Sequence, residues 1–170
     1  MGSFDDRERA FETKFAHDEE MKFRITARRN RLLGEWAARQ MGLSEAETES
    51  YAKDVVRSDF EEAGDNDVIR KVLGDLTAAE IEIDEEAIVE ALRNKEIEAL
   101  ILEAFPGAAV EIRDLAGDGD HYAAKVVSPD FAGMSRVRQH QAVYAALKGK
   151  MGTELHALQL ETAVPSGDHQ

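Results

Sequence analysis

The chain has 170 residues, 43% of them hydrophobic and 33% charged, with a formal net charge of −14. That length accommodates one domain or two small ones, and the composition is that of a soluble globular protein rather than a disordered one. There is no cysteine, which excludes disulfides, a thiolate nucleophile and any Cys-ligated zinc or iron–sulfur site built from this chain alone.

No apolar run approaches the roughly 20 residues of a membrane span. The N-terminus, MGSFDDRERAFETKF, lacks the apolar core of a secretory signal, so a cytoplasmic location is expected. Charge is unevenly placed: residues 41–90 carry 16 acidic and 4 basic side chains, whereas residues 21–40 carry 6 basic and 1 acidic. The acidic middle argues against broad nucleic-acid binding, because affinity for a phosphate backbone comes mainly from Lys and Arg.

All three prolines (Pro106, Pro129, Pro165) lie after residue 105, and the first 105 residues contain five glycines. Apolar residues in this half recur at helical spacing. Phe11 and Phe15 are followed by Ile25, Leu32, Leu33, Trp36 and Ala37, which predicts one long helix from about Asp6 to Met41, ended by Gly42. Leu32, Leu33 and Trp36 are assigned to the core. Ser44 and Glu47 form a capping box opening a second helix that is expected to run to about Ala63 and stop at Gly64. Asp65 or Asn66 caps a short third helix, about Asp67 to Leu73, closed by Gly74. Asp84 caps a fourth, with Ile88, Val89, Leu92, Ile97, Leu100 and Ile101 as its stripe.

The second half changes period. Val110 and Ile112 alternate with charged residues in a short strand. Gly117-Asp118-Gly119-Asp120 makes a turn, and His121 to Val127 reads as a second strand. A short extra turn around Pro129 to Ala132 precedes a helix from Arg136 to Lys148, with Val137, His140, Tyr144 and Leu147 on one face. Leu155 to Val164 is a third strand, and residues 166–170 are a frayed tail.

The segment Phe4–Ala38, with Tyr51-Ala52 and Asp59-Phe60-Glu61-Glu62-Ala63-Gly64, resembles the alphaproteobacterial ATP synthase inhibitor called the zeta subunit, over about Gly2 to Asn94. The resemblance implies a four-helix bundle (residues 1–94) preceded by a mobile inhibitory arm (residues 1–17) that enters the catalytic head and blocks hydrolysis. The arm residues are Phe4, Asp5, Asp6, Arg7, Glu8, Arg9, Phe11 and Phe15. The aromatic anchors amid mixed charge suit a segment that orders on a partner; packing of Phe11 and Phe15 on the bundle's own core is the alternative. In that family the fourth helix normally ends the chain, whereas here residues 93–105 are asked to complete two folds. With no Gly/Ser/Pro linker, a helical junction is expected rather than two tethered beads.

Residues 95–165 resemble the BolA family, in its bacterial IbaG-like branch. The matching elements are Glu96-Ile97 through Phe105-Pro106-Gly107, the Gly117–Tyr122 loop, Phe131-Ala-Gly-Met-Ser-Arg-Val, Tyr144 and Glu154-Leu155-His156-Ala157. The resemblance implies an αββααβ domain with a three-stranded sheet, similar to the class II KH topology. It further implies pairing with a monothiol glutaredoxin around a [2Fe–2S] cluster, whose thiolates come from that partner and from glutathione. The ligands carried over are His156 and either His121 or another group of the Gly117–His121 loop; some relatives have cysteine in this loop, and Asp118 stands near that place. Imidazole can replace thiolate on one iron, as in Rieske-type centres. A partner groove is assigned to Arg136, Arg138, His140 and Tyr144, with His140 as a hydrogen-bonded core or groove residue. His17 and His169 receive no role.

The KH likeness raises nucleic-acid binding, for which Arg136, Arg138, Lys148 and Lys150 supply basic character. KH domains, however, clamp nucleic acid with a GXXG loop, and Gly133-Met134-Ser135-Arg136 lacks the second glycine. There is no P-loop, dinucleotide fingerprint or HExxH, and Ser135 has no base–acid pair at motif spacing, so no enzymatic activity is expected. The reading is therefore a fusion of two regulatory binding modules. Its alternatives are a BolA-type transcriptional regulator that binds nucleic acid, and an iron–sulfur adaptor with a purely structural bundle.

Overall fold

The computed structural model describes residues 3–59, 64–115, 121–147 and 157–166. The first helix, α1 (Ser3–Gln40), is 38 residues long. It ends as its glycine dictates. Gly42 adopts φ 71°, its N–H donates to Arg39 O at 3.1 Å, and Leu43 N–H donates to Ala38 O at 3.0 Å. This bond pair closes the helix in a Schellman motif.

Helix α2 (Glu45–Ser58) opens with the expected capping box: Glu47 N–H donates to Ser44 Oγ at 3.2 Å and Ser44 N–H to Glu47 Oε1 at 2.9 Å. It closes earlier than expected, at Ser58 rather than Ala63. The Ser58 hydroxyl donates to Val55 O at 2.7 Å, a local side-chain bond that competes with continued helix; residues 60–63 lie outside the description.

Helix α3 (Asn66–Ala78) is longer than expected and runs straight through Gly74. Leu76, one turn beyond Val72, is fully buried, and that burial outweighs the cost of about 1 kcal/mol for an interior glycine. The stop falls at Glu80, φ 64°, with Glu80 N–H bonded to Thr77 O and Ile81 N–H to Leu76 O, each at 3.0 Å. Asp65 sits at the N-cap without a side-chain capping bond.

Helix α4 (Glu85–Ala104) is capped by Asp84, whose Oδ1 accepts from Ala87 N–H at 2.9 Å. It is continuous through the expected junction. Ile88 and Leu92 join Leu33 and Ala37 (α1), Val55 (α2) and Val68, Val72 and Leu76 (α3) in one core, with Trp36 packed against it. Ile97, Leu100 and Ile101 join a second core with Phe105. Nine residues separate Ile88 from Ile97, about two and a half turns, so the two apolar sets lie on opposite sides of the helix. Val89, placed on the stripe from sequence, is exposed instead.

The second core is roofed by a sheet of order β1-β2-β3, with β1 (Ala109–Asp114), β2 (His121–Val127) and β3 (Ala157–Ala163). β1 and β2 are antiparallel (Ile112 opposite Ala124) and β2 and β3 parallel (His121 opposite Ala157). Tyr122, Ala124 and Val126 point inward, as alternation requires, onto Phe131, Val143 and Leu147. Phe131 closes a single 3₁₀ turn, Pro129–Phe131, and meets Phe105 at 5.1 Å between ring centroids. The last helix, α5 (Arg136–Leu147), buries Val143, Ala146 and Leu147. The face expected from sequence is corrected here: Val137 and Tyr144 point outward, 65% and 44% exposed, because the inward ridge is the row through Gln139, Val143 and Ala146 at helical spacing.

Candidate functional sites

Residues 5–20 of α1 are exposed without exception. Phe11 is 71% and Phe15 61% exposed, so packing on the bundle's own core is not what they do. Asp5, Asp6, Arg7, Glu8 and Arg9 share this solvated stretch; the Phe4 backbone is helical, and its side chain lies outside the description. Phe11 and Phe15 stand eighteen residues before Arg29 and Leu33, five full turns at 3.6 residues each. The face that carries the aromatics is therefore the continuation of the face that docks α1 onto the bundle. Among the described residues that face of residues 5–20 is exposed to solvent.

The docked half of α1 is fixed by a buried cation. Arg29 is 5% exposed. Its Nη2 donates to Asp65 Oδ1 and to Asn30 Oδ1, each at 2.9 Å, and its Nη1 lies 3.7 Å from Glu96 Oε1. A buried guanidinium requires this degree of pairing, and it ties α1 to the α2–α3 corner and to α4 at once. Close by, Asp59 has its carboxyl pushed above the usual range by burial, against the lowering pull of Asn30 and Arg29. Opposite, Tyr51 Oη donates to Asp75 Oδ2 at 2.8 Å, and Lys71 Nζ donates to the same oxygen at 3.1 Å. Burial and that carboxylate push the phenol well above its ordinary value. The basic character of residues 21–40 is thus partly spent on internal pairing, including Arg31 with Glu35 and Glu49.

One contact was not legible in the sequence. Gly34 lies where α1 crosses α2, and a Cβ there would sit 2.8 Å from Ala52 Cα. A lone glycine within an otherwise glycine-free helix is the signal that points to such a crossing.

In the C-terminal half, His121 is exposed at the first position of β2, and its carbonyl accepts from Leu115 N–H at 2.7 Å. His156 and the Gly117–Asp120 turn lie outside the described residues. Ala157, which follows His156 in the chain, is nevertheless the register partner of His121. Among the described residues no group of three or more His, Asp or Glu is placed to hold a metal ion. On α5, Arg136 and Arg138 are exposed and His140 is half-buried. Tyr144 Oη donates to Leu158 O at 3.1 Å, fixing the ring against β3. His140 makes no hydrogen bond among the described residues. Gln139, not singled out from sequence, is the polar hub instead. Its Nε2 donates to Met134 O at 3.0 Å, and its Oε1 accepts from Thr162 Oγ1 at 2.6 Å.

No helix among the described residues is long and apolar enough to cross a membrane. The chain is built of two modules, a helical bundle and a domain with a three-stranded sheet, each with its own core and joined through α4. Residues 1–101 match the family model described as ATPase inhibitor subunit zeta, and residues 101–167 match that described as BolA-like protein. The chain belongs to the zeta-subunit family of ATPase inhibitors and carries a BolA-like domain joined to it. Both are families of non-catalytic regulatory proteins. The two matches meet at Ile101, inside α4.

Among curated relatives, the chain is 35% identical over 72 residues to the uncharacterized protein RP812 of Rickettsia prowazekii, covering 42% of this chain and 94% of that one. It is 30% identical over 76 residues to the acid stress protein IbaG of Escherichia coli, covering 44% and 87%. Among solved structures, BolA1 from Arabidopsis thaliana is 30% identical with a TM-score of 0.41, over 45% of this chain and 96% of that one.

Proposed function

We propose that this chain inhibits ATP hydrolysis by the catalytic head of an ATP synthase through the N-terminal part of α1. A single observation carries the reading: Phe11 and Phe15 are exposed on a helix whose other half is locked down by Leu33 and Arg29. Docking such a preformed helix into a groove costs less ordering entropy than folding a loose segment. The charged residues Asp5 to Arg9 then serve register and encounter rate rather than burial. The test is steady-state ATP hydrolysis by an isolated alphaproteobacterial head titrated with the full chain. Dose-dependent inhibition is expected, weakened at least tenfold in Phe11→Ser/Phe15→Ser, because an anchor side chain at an interface centre contributes about 2 kcal/mol or more. Equal inhibition by that variant contradicts the reading.

The BolA-like domain, in the same proposal, pairs with a monothiol glutaredoxin. Supporting this, the parallel register starts at His121 and Ala157, so the exposed imidazole of His121 and the residue following His156 share one end of the sheet. With no cysteine in the chain, these residues fit a shared [2Fe–2S] cluster only as nitrogen ligands beside thiolates from the partner and glutathione. The cluster would supply redox sensitivity. Tyr144, bonded to Leu158 O, lies at that end of the sheet, whereas Arg136 and Arg138 lie towards the other end, where Gln139 meets Thr162. A cytoplasmic location belongs to this reading. Mixing the full chain with apo-glutaredoxin, iron, sulfide and glutathione should give a coloured heterodimer, weakened by His156→Ala; no such complex contradicts the pairing.

A further inference from the structure

Beside the Arg29–Glu96 pair, further links cross from the bundle to the C-terminal domain. Ile25 of α1 packs against the second core. Arg24 Nη2 lies 3.0 Å from Glu103 Oε1 at the C-terminal end of α4, with Glu103 only 19% exposed. Asn94 Nδ2 donates to Ile112 O at 3.3 Å. The first two grip α1 beyond Arg29. Met21 is the half-buried residue nearest the N-terminus of α1 among those described.

We propose that the C-terminal domain is a brace that sets the helicity of the arm, an inference that rests on the inhibitory reading of α1. Residues 5–20 bury no side chain among the described residues, and a helical segment of that length is marginal in water unless it grows from an already fixed turn. With Arg24 and Ile25 held, the free helix starts near Met21, and Phe15 lies under two turns from the support. Without that grip the last anchor is Arg29, and Phe15 lies nearly four turns out. Anything that shifts the end of α4 therefore reaches the arm. Glu103 and Ile25 are positioning residues; neither needs to touch the ATP synthase head.

Amide hydrogen exchange of residues 8–22 in the full chain, beside inhibition of the isolated head, tests this. Ile25→Ala raises intrinsic helix propensity, so an unbraced arm would exchange more slowly in that variant; the brace predicts faster exchange, by several-fold. Glu103→Gln lies outside α1 altogether, so it leaves the arm's own propensity untouched. It should speed exchange about two- to fivefold, the range of a partly exposed ion pair, and raise the half-inhibitory concentration in parallel. Arm exchange that is unchanged or slower in Ile25→Ala overturns the brace. Absence of inhibition by the wild-type chain overturns the inhibitory reading instead, and the exchange result still decides the brace.

Discussion

Ile88 and Ile97 stand nine residues apart on one unbroken helix, both fully buried, yet in different hydrophobic cores. Helix α4 thereby replaces a linker. Its first half completes the bundle and its second half carries the sheet, and each half buries the side that the other leaves to different neighbours. Two domains joined this way cannot reorient without unwinding a helix that both cores hold.

Gly34→Ala should destabilise the protein by about 1–3 kcal/mol, although alanine is the better helix former by about 1 kcal/mol. The added methyl would meet Ala52 Cα at 2.8 Å, and a backbone atom cannot swing aside. Chemical denaturation reads the change; a stabilised variant would show that α1 and α2 are not in close contact there.

Glu80→Gly should stabilise by about 1 kcal/mol. Glu80 holds φ 64°, a conformation that costs an L-residue roughly that much. It also places a negative charge at the C-terminal end of α3, where the helix dipole disfavours it. A lower melting temperature in the variant would refute this.

Tyr51→Phe removes a hydrogen bond to Asp75 worth about 1 kcal/mol at neutral pH. The phenol's folded pKa is raised. Its contribution is therefore complete below the unfolded value of about 10 and is lost as pH rises above it. The stability gap between wild type and variant should narrow in alkali, and a constant gap across pH 8 to 11 would rule out the assignment.

Asp59→Asn should stabilise the chain at neutral pH. Burial raises the carboxyl above its ordinary 3.8, so the folded state holds this proton more tightly than the unfolded one. That contribution is present in acid and lost as pH rises through the folded pKa, leaving a disfavoured charge at pH 7. The advantage of the variant should shrink as pH falls towards 3.5. A variant less stable than wild type at pH 7 would contradict it.

The sequence was most legible where structure is locally encoded. Gly42, the Ser44–Glu47 box and Asp84 each act through bonds within a few residues, and each does what its residue type requires. It was less legible where burial decides. Gly74 reads as a stop but is overridden by Leu76, whereas the true stop at Glu80 uses a residue that does not favour positive φ. On α5, Val137 and Tyr144 look like core by spacing, because a twelve-residue helix with few charges offers two rival apolar ridges. The arm was readable as an anchor-bearing segment, but its direction was not, since Ile25 and Glu103 meet only through the tertiary fold. His121 does begin a strand, whereas the role of Gln139 is not legible in sequence because its partners, Met134 O and Thr162 Oγ1, reach it through the turn before α5 and through β3 rather than along the helix.

The most direct measurement uses Trp36, the chain's single tryptophan, which packs against the bundle core. Val143 is fully buried on α5 in the other core, and Val143→Ala should cost about 2 kcal/mol there. If α4 makes the two cores one cooperative unit, the denaturation midpoint reported by Trp36 fluorescence falls by the full equivalent of that loss. A Trp36 transition that stays at the wild-type midpoint would contradict the shared helix as the organising element of this protein.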